Sequence, residues 1–472
     1  MIYMMLSFLI PIFAGFLVLC LICPDLNSFK NSLILKSCLA VGLGFGIFSL
    51  VFFLWLVTIG SHTRWIIILD LSLLFGLFLI FLYSAYGKNH NLNKKLSYKS
   101  LPNLKISRIL DVSFYVVLIS SVITFIYISL RNPYGKWDAM FMWNMRAKSL
   151  FNNIEWIDTF SNKLAGVDYP LLLPSFIARS WQYIGEEAVY IPALVAMFFT
   201  FATVGLIYSA LSILRNNSQG FLSAIFLMGT PIFIAFGASQ GADVPIGFFF
   251  LAALVLICLM DILPERRFEL IFLSGLMAGM SAWTKNEGLL FVLSVVTARF
   301  IVFAFKKQWK QYFQDLLFFA LGSIPIFLII IYFKTAIGGS NDIMSGQGLE
   351  FTIAKLTDIF RYFFIAKTFA IKIYHFNHLL LGSVLILAIY LTVLGLKIEK
   401  KQIPGLTTSI ITVVFMFVGY FFIYVITPQP LKWHLHTSLN RIILQMWPSL
   451  LFVFFLLVST PEQKLISREV KE

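Results

Sequence analysis

Charge is scarce in this chain. Only 12% of its 472 residues are Asp, Glu, Lys or Arg, about half the usual share, which excludes an ordinary soluble domain and a disordered one alike. Cysteine is scarce too. Cys20, Cys23, Cys38 and Cys258 all lie in or beside apolar runs, so Cys20-x-x-Cys23 reads as membrane packing ahead of a metal or redox pair, and no disulfide framework is implied. Strand-length alternation of apolar and polar residues is missing, which excludes a transmembrane barrel. The chain has no Gly-rich phosphate loop with its lysine, no zinc spacing and no Gly-x-Ser-x-Gly elbow, so nucleotide chemistry has no support. Internal repeats and low-complexity linkers are absent as well.

What the chain has is apolar length. Hydrophobic residues make up 59% and aromatics 17%, and runs of roughly 20 apolar residues, enough to cross the ~30 Å hydrocarbon layer as helices, follow one another. Candidate spans fall near 4–23, 37–60, 66–86, 112–130, 188–214, 218–237, 244–262, 270–284, 288–305, 316–334, 378–396, 405–427 and 442–459. The expected fold is an all-α bundle of about 13 spans. The first run has neither a basic start nor a small-residue cleavage site after Cys23, so it is expected to be a retained helix. The run 270–284 is short and rich in small residues, and its Gly275-x-x-x-Gly279 would let a neighbouring helix approach closely.

The net charge of +14 gathers in short loops and forms no single basic face, so it argues for orientation and against nucleic acid. Between 87 and 109 stand Lys88, Lys94, Lys95, Lys99, Lys105 and Arg108 with no acid, which marks that loop as cytoplasmic. Alternation then puts Arg215, Arg266 and Arg267, Lys306, Lys307 and Lys310, and Lys397, Lys400 and Lys401 on the same inner side. The C-terminus is expected inside, the N-terminus outside, and the membrane is expected to be a bacterial inner (plasma) membrane.

On the outer side fall 131–187, 238–243, 285–287, 335–377 and 428–440. The first is a large loop carrying six bases against six acids, polar and aromatic in place of basic. Within it, Asp168-Tyr-Pro-Leu-Leu-Leu-Pro through Gly185 is apolar but too short to span, which suits a re-entrant or interfacial helix. Another interfacial helix is expected over Lys355–Tyr374. Three units follow: helices and a basic loop over 1–110, a core over 111–335 containing the large loop, and a C-terminal set over 336–472.

Ionisable groups near membrane depth are expensive and are therefore candidate functional groups. Asp138, among Trp137, Met140, Phe141 and Asn144, can act as a general base in an aromatic setting, or simply pair with Arg146 two turns on. Asp168 and Asp243 are candidate site carboxylates or helix N-caps. With Asp138 they are the candidate ligands of a divalent metal, Mg or Mn. Lys285, in Trp283-Thr-Lys-Asn-Glu-Gly, either snorkels or neutralises a lipid phosphate. Arg441 can hold a phosphate in bidentate fashion. His434 and His436 read as interfacial ahead of metal ligands.

The motifs Trp137-Asp138-Ala139, Asp168-Tyr-Pro-Leu-Leu-Leu-Pro, Ala242-Asp-Val-Pro, Gly275-Leu-Met-Ala-Gly through Thr-Lys-Asn-Glu-Gly and Asn440-Arg-Ile-Ile-Leu-Gln-Met-Trp-Pro occur in that order. Together, over about 133–448, they resemble the multi-spanning GT-C glycosyltransferases that use polyprenyl-phosphate sugars, including protein O-mannosyltransferases and the lipid A aminoarabinose transferase. The resemblance implies an inverting glycosyltransferase working on the periplasmic face, with a hexosyl or pentosyl group moved from a polyprenyl-phosphate donor to a hydroxyl of a glycan, lipid or protein. Asp138 would be catalytic, and Asp168, Tyr169, Asp243, Lys285, Glu287, Arg441, Trp137 and Arg146 would bind substrate; Trp137 and Trp143 suit a sugar face. Two departures stand out. About three spans precede the one that leads into the first large loop, whereas familiar members place that loop after their first span, and Ala139 stands where the mannosyltransferases carry a second acid. The rival readings are a lipid-linked sugar flippase and an outer-face polysaccharide polymerase or ligase.

Overall fold

The computed structural model describes residues 1–24, 26, 29, 31–60, 64–87, 106–152, 156–159, 166–339, 348–376 and 382–464. The lysines of the basic loop at 88, 94, 95, 99 and 105 lie outside them. The described residues are helical almost throughout, as a chain that must satisfy its backbone within lipid has to be. In order they form α1 (Ile2–Ile22), α2 (Ser32–Thr58), α3 (Trp65–Gly87) and α4 (Ile106–Arg131). A π-helical turn (Ala139–Trp143), α5 (Asn144–Asn152), α6 (Trp156–Thr159) and α7 (Leu172–Ile184) follow. Next come α8 (Tyr190–Leu214), α9 (Asn217–Met228), α10 (Pro231–Gly237), α11 (Asp243–Leu259), α12 (Arg267–Thr284) and α13 (Glu287–Phe305). The last group is α14 (Trp309–Ala336), α15 (Leu349–Thr357), α16 (Ile359–Tyr374), α17 (Ser383–Leu394), α18 (Ile403–Ile426) and α19 (Leu431–Leu457).

Each expected apolar run carries a helix among the described residues, but not each of the 13 is long and apolar enough by itself to cross a membrane. Among the described residues nine helices are long and apolar enough to cross a membrane, and the pair α9–α10, bent by 69°, makes up to ten. The bend follows from Gly229-Thr230-Pro231: proline opens α10 without an N–H to continue the ladder of α9. α11 and α17 are apolar but shorter, with 17 and 12 residues.

α11 is the hub. Every residue of it is buried, packed among α8, α12, α18 and α19, which explains why its sequence is hydrophobic all round. The small-residue helix α12 lies backbone to backbone on α14, because a Cβ at Gly275 would strike the carbonyl of Phe319 and one at Gly322 the carbonyl of Phe272. The segment after Asp168, expected to be a re-entrant or interfacial helix, is walled in by other helices. α7 is enclosed, with Leu172 through Tyr183 all buried, and it packs on α1, α2 and α5. Its Arg179 donates to Asp70 Oδ2 of α3 at 2.7 Å and to the Ser7 carbonyl of α1 at 2.9 Å, while Tyr183 OH donates to the same Asp70 oxygen at 2.6 Å. The helix expected over Lys355–Tyr374 is two helices, because Asp358 caps α16 by accepting from the Phe360 and Arg361 N–H groups.

Candidate active site

The hub's acidic start meets the ends of its neighbours at one end of the bundle. Asp243 opens α11, Lys285 closes α12, Glu287 opens α13, and Arg441 sits in the first half of α19. Asp138 enters from the segment after α4. Arg441 joins two of the acids, with Nε 2.8 Å from Asp243 Oδ2 and Nη1 2.5 Å from Asp138 Oδ2. Lys285 joins two, with Nζ 3.1 Å from Asp243 Oδ1 and 2.8 Å from Glu287 Oε1. Gln445, one turn beyond Arg441, donates to Asp243 Oδ1 at 2.7 Å and is itself held by Tyr420 OH at 3.1 Å.

Beside this network lies a smaller one. Asn286 Nδ2 donates to Asp168 Oδ2 at 2.7 Å. Lys334, in the last turn of α14, donates to the Asp168 carbonyl at 2.9 Å and to Asn286 Oδ1 at 2.7 Å. Arg146 of α5 is fully buried and donates to the Tyr169 carbonyl. Burial pulls Arg146 down to about 9, against the field of Asp168. The two networks touch at Tyr169, whose ring lies 5.8 Å from Lys285 Nζ. The Glu287 carboxylate and burial hold the Tyr169 phenol above its ordinary range. Burial alone would lower Lys285, but the carboxylates of Asp243 and Glu287 outweigh it and hold the ammonium well above its ordinary value.

Several expectations change here. Asp138 pairs with Arg441, leaving Arg146 to Tyr169 and Asp168. Neither Asp168 nor Asp243 caps a helix: the N-cap of α11 is Ala242 and that of α7 is Leu171. Lys285 and Arg441, expected to meet phosphate, are each already shared between two carboxylates. Trp143 is fully buried against Tyr169, at 5.8 Å between rings, and presents no sugar face. Trp137 is exposed and packs on Phe141 at 4.2 Å, outside both networks. His434 turns to Thr427, at 2.8 Å, while His436 is exposed. A divalent metal does not fit these donors. No three His, Cys, Asp or Glu gather suitably among the described residues, and Asp243 already receives three donors.

Comparison with known proteins gives one family. Residues 168–333 match the family model of dolichyl-phosphate-mannose-protein mannosyltransferase. That family falls within the GT-C glycosyltransferases, the group the sequence resembles. No curated protein and no solved structure matches the chain. The mannosyltransferase-like segment begins on Asp168 and takes in Tyr169, Asp243, Lys285, Asn286 and Glu287, so about half of each network belongs to it; Asp138, Arg146, Lys334, Tyr420, Arg441 and Gln445 are brought to it by the fold. The match supports an integral membrane glycosyltransferase dependent on a polyprenyl-phosphate sugar.

Asn286, Lys334, Gln445 and Tyr420 escaped the sequence reading. Gln445 carried a usable signal, as an uncharged amide four residues past Arg441 in an apolar run. Lys334 carried less, since a lysine ending a span ordinarily snorkels.

Proposed function

We propose that the protein transfers a sugar, with inversion, from a polyprenyl-phosphate donor to an acceptor hydroxyl on the outer (periplasmic) face of a bacterial inner membrane. The observation that carries this is a gradient of access along the ion network. The side chains of Asp243 and Lys285 are 5% and 4% exposed, Arg441 is 24% and Asp138 is 33%. Asp243, saturated and enclosed, is the anchor that holds both cations. Asp138 is the carboxylate an acceptor can reach.

In this reading Asp138 accepts the proton of the acceptor hydroxyl as its oxygen bonds to the anomeric carbon. The bond from that carbon to the phosphate oxygen breaks, and its electron pair leaves on the lipid phosphate. Arg441 fixes the carboxylate from behind. Purified protein supplied with synthetic polyprenyl-phosphate sugars should show transfer, and Asp138→Asn should lower kcat by about 100-fold or more, the usual worth of a general base. Undiminished transfer by Asp138→Asn removes the assignment of the base. Passage of labelled donor across a proteoliposome without any transfer would instead establish the flippase reading.

A further inference from the structure

We infer that Lys334, backed by the buried Arg146, is the cation that receives the phosphate of the lipid donor, an inference that rests on the transferase reading. The argument is one of charge placement. Around Arg441 and Lys285 stand three carboxylates, those of Asp138, Asp243 and Glu287, against two cations. That network carries a surplus of negative charge, and a phosphate brought to it would be repelled. In the adjoining network, among the described residues, Lys334 and Arg146 face the one carboxylate of Asp168, so no such excess of negative charge stands around Lys334. Of its two cations, Arg146 is enclosed. Lys334 is half-buried, and the hydrogen bonds it makes go to neutral oxygens, the Asp168 carbonyl and the Asn286 amide.

An ammonium bonded to neutral acceptors at a partly dehydrated rim gains more from an anion than one already paired, because its full positive charge meets an opposite charge for the first time where screening by water is reduced. The site is thus polar along its length. A phosphate is drawn to the Lys334 end, and a base works at the Asp138 end. The helix that carries Lys334 also offers a track for the polyprenyl chain: Leu317, Leu321, Ile324, Leu328 and Ile331 form one exposed apolar stripe of α14, and Lys334 follows three residues past its last member.

The test is binding of a polyprenyl monophosphate, beside the uncharged polyprenol and phosphatidylglycerol, to the full-length protein in detergent. Lys334→Gln should weaken monophosphate binding about tenfold, the worth of one charge-assisted bond, with polyprenol binding unchanged, and Lys334→Arg should restore most of it. Equal binding of the monophosphate by Lys334→Gln and the native protein overturns the inference, as does phosphatidylglycerol competing as well as the monophosphate. Should Lys334→Gln fail to fold, acetylation footprinting of the native protein decides: the monophosphate, and not polyprenol, should protect Lys334 while leaving the exposed Lys148 reactive, and no protection overturns the inference. Native protein that binds the monophosphate through Lys334 yet transfers no sugar refutes the transferase reading alone.

Discussion

Arg441 is one side chain doing two jobs, since its two faces hold an enclosed acid and an accessible one. Replacing it with lysine keeps the charge and loses the fork, because a single ammonium cannot reach Asp138 and Asp243 along two directions at once. Arg441→Lys should therefore keep the protein folded and cut kcat by about tenfold or more, a loss of one bidentate arrangement, measured as turnover at saturating donor. Asp261, at the opposite end of α11, offers a test of burial. Enclosure raises its carboxyl to about 6, opposed by the Gly405 N–H. Because the folded state holds this proton more tightly than the unfolded chain, stability falls as pH rises from about 4 to about 6, and the full cost persists above. Asp261→Asn keeps an acceptor for Gly405 and should add on the order of 2 kcal/mol near neutral pH, with the gain fading toward pH 4. Apparent melting temperatures across that window check it.

Among the elements, α7 is where the N-terminal helices acquire a role. The triad Asp70, Arg179 and Tyr183, with both ionised side chains wholly enclosed, ties α3 to the helix that Asp168 and Tyr169 lead into. Breaking it leaves one charge buried without its partner. Asp70→Leu or Arg179→Met alone should cost about 3–5 kcal/mol, whereas the double replacement should recover much of the loss, since an apolar pair of similar volume replaces a buried ion pair at little net cost. Denaturant or thermal unfolding of the three variants separates these outcomes. The triad was invisible in the sequence for a clear reason: Asp70 stood in an apolar run and Arg179 in a segment expected to be a re-entrant or interfacial helix, 109 residues apart, and no spacing rule links them. Apolar runs located the long helices, because solvation by lipid is written in each run. They could not say which helix leaves the wall of the bundle for its interior, because α7 and an interfacial helix have the same composition.

At the scale of the molecule, the charge pattern and the geometry speak to one another. The residues of both networks gather at the end of the bundle reached by the C-termini of α12 and α14 and the N-termini of α11 and α13. Arg215, bonded to the Val458 carbonyl, and Arg267, bonded to Asp315, lie toward the other end. Reading the basic end as cytoplasmic makes the candidate site extracytoplasmic. With the native cysteines replaced by alanine, Trp137→Cys should then react with an impermeant maleimide from outside intact cells, and Lys401→Cys only after lysis; the reverse pattern would invert the proposed orientation. The candidate acids, lysine and arginine were legible one by one, as ionisable groups out of place in apolar surroundings. Their pairing was not, since it depends on how five separate segments converge.

The hub helix sets a depth. Its 17 residues reach about 26 Å, less than the ~30 Å of a hydrocarbon core, so in the proposed orientation, with its inner end at the cytoplasmic interface, Asp243 and the groups anchored on it would lie below the plane of the outer lipid headgroups. A carrier lipid arriving sideways would then bring its phosphoester to the proposed reactive level without being lifted out of its leaflet. An acceptor has the harder approach. It would have to lower its hydroxyl to that depth, which would favour a nucleophile carried on a slender, extended tether over one lying flush on a rigid surface.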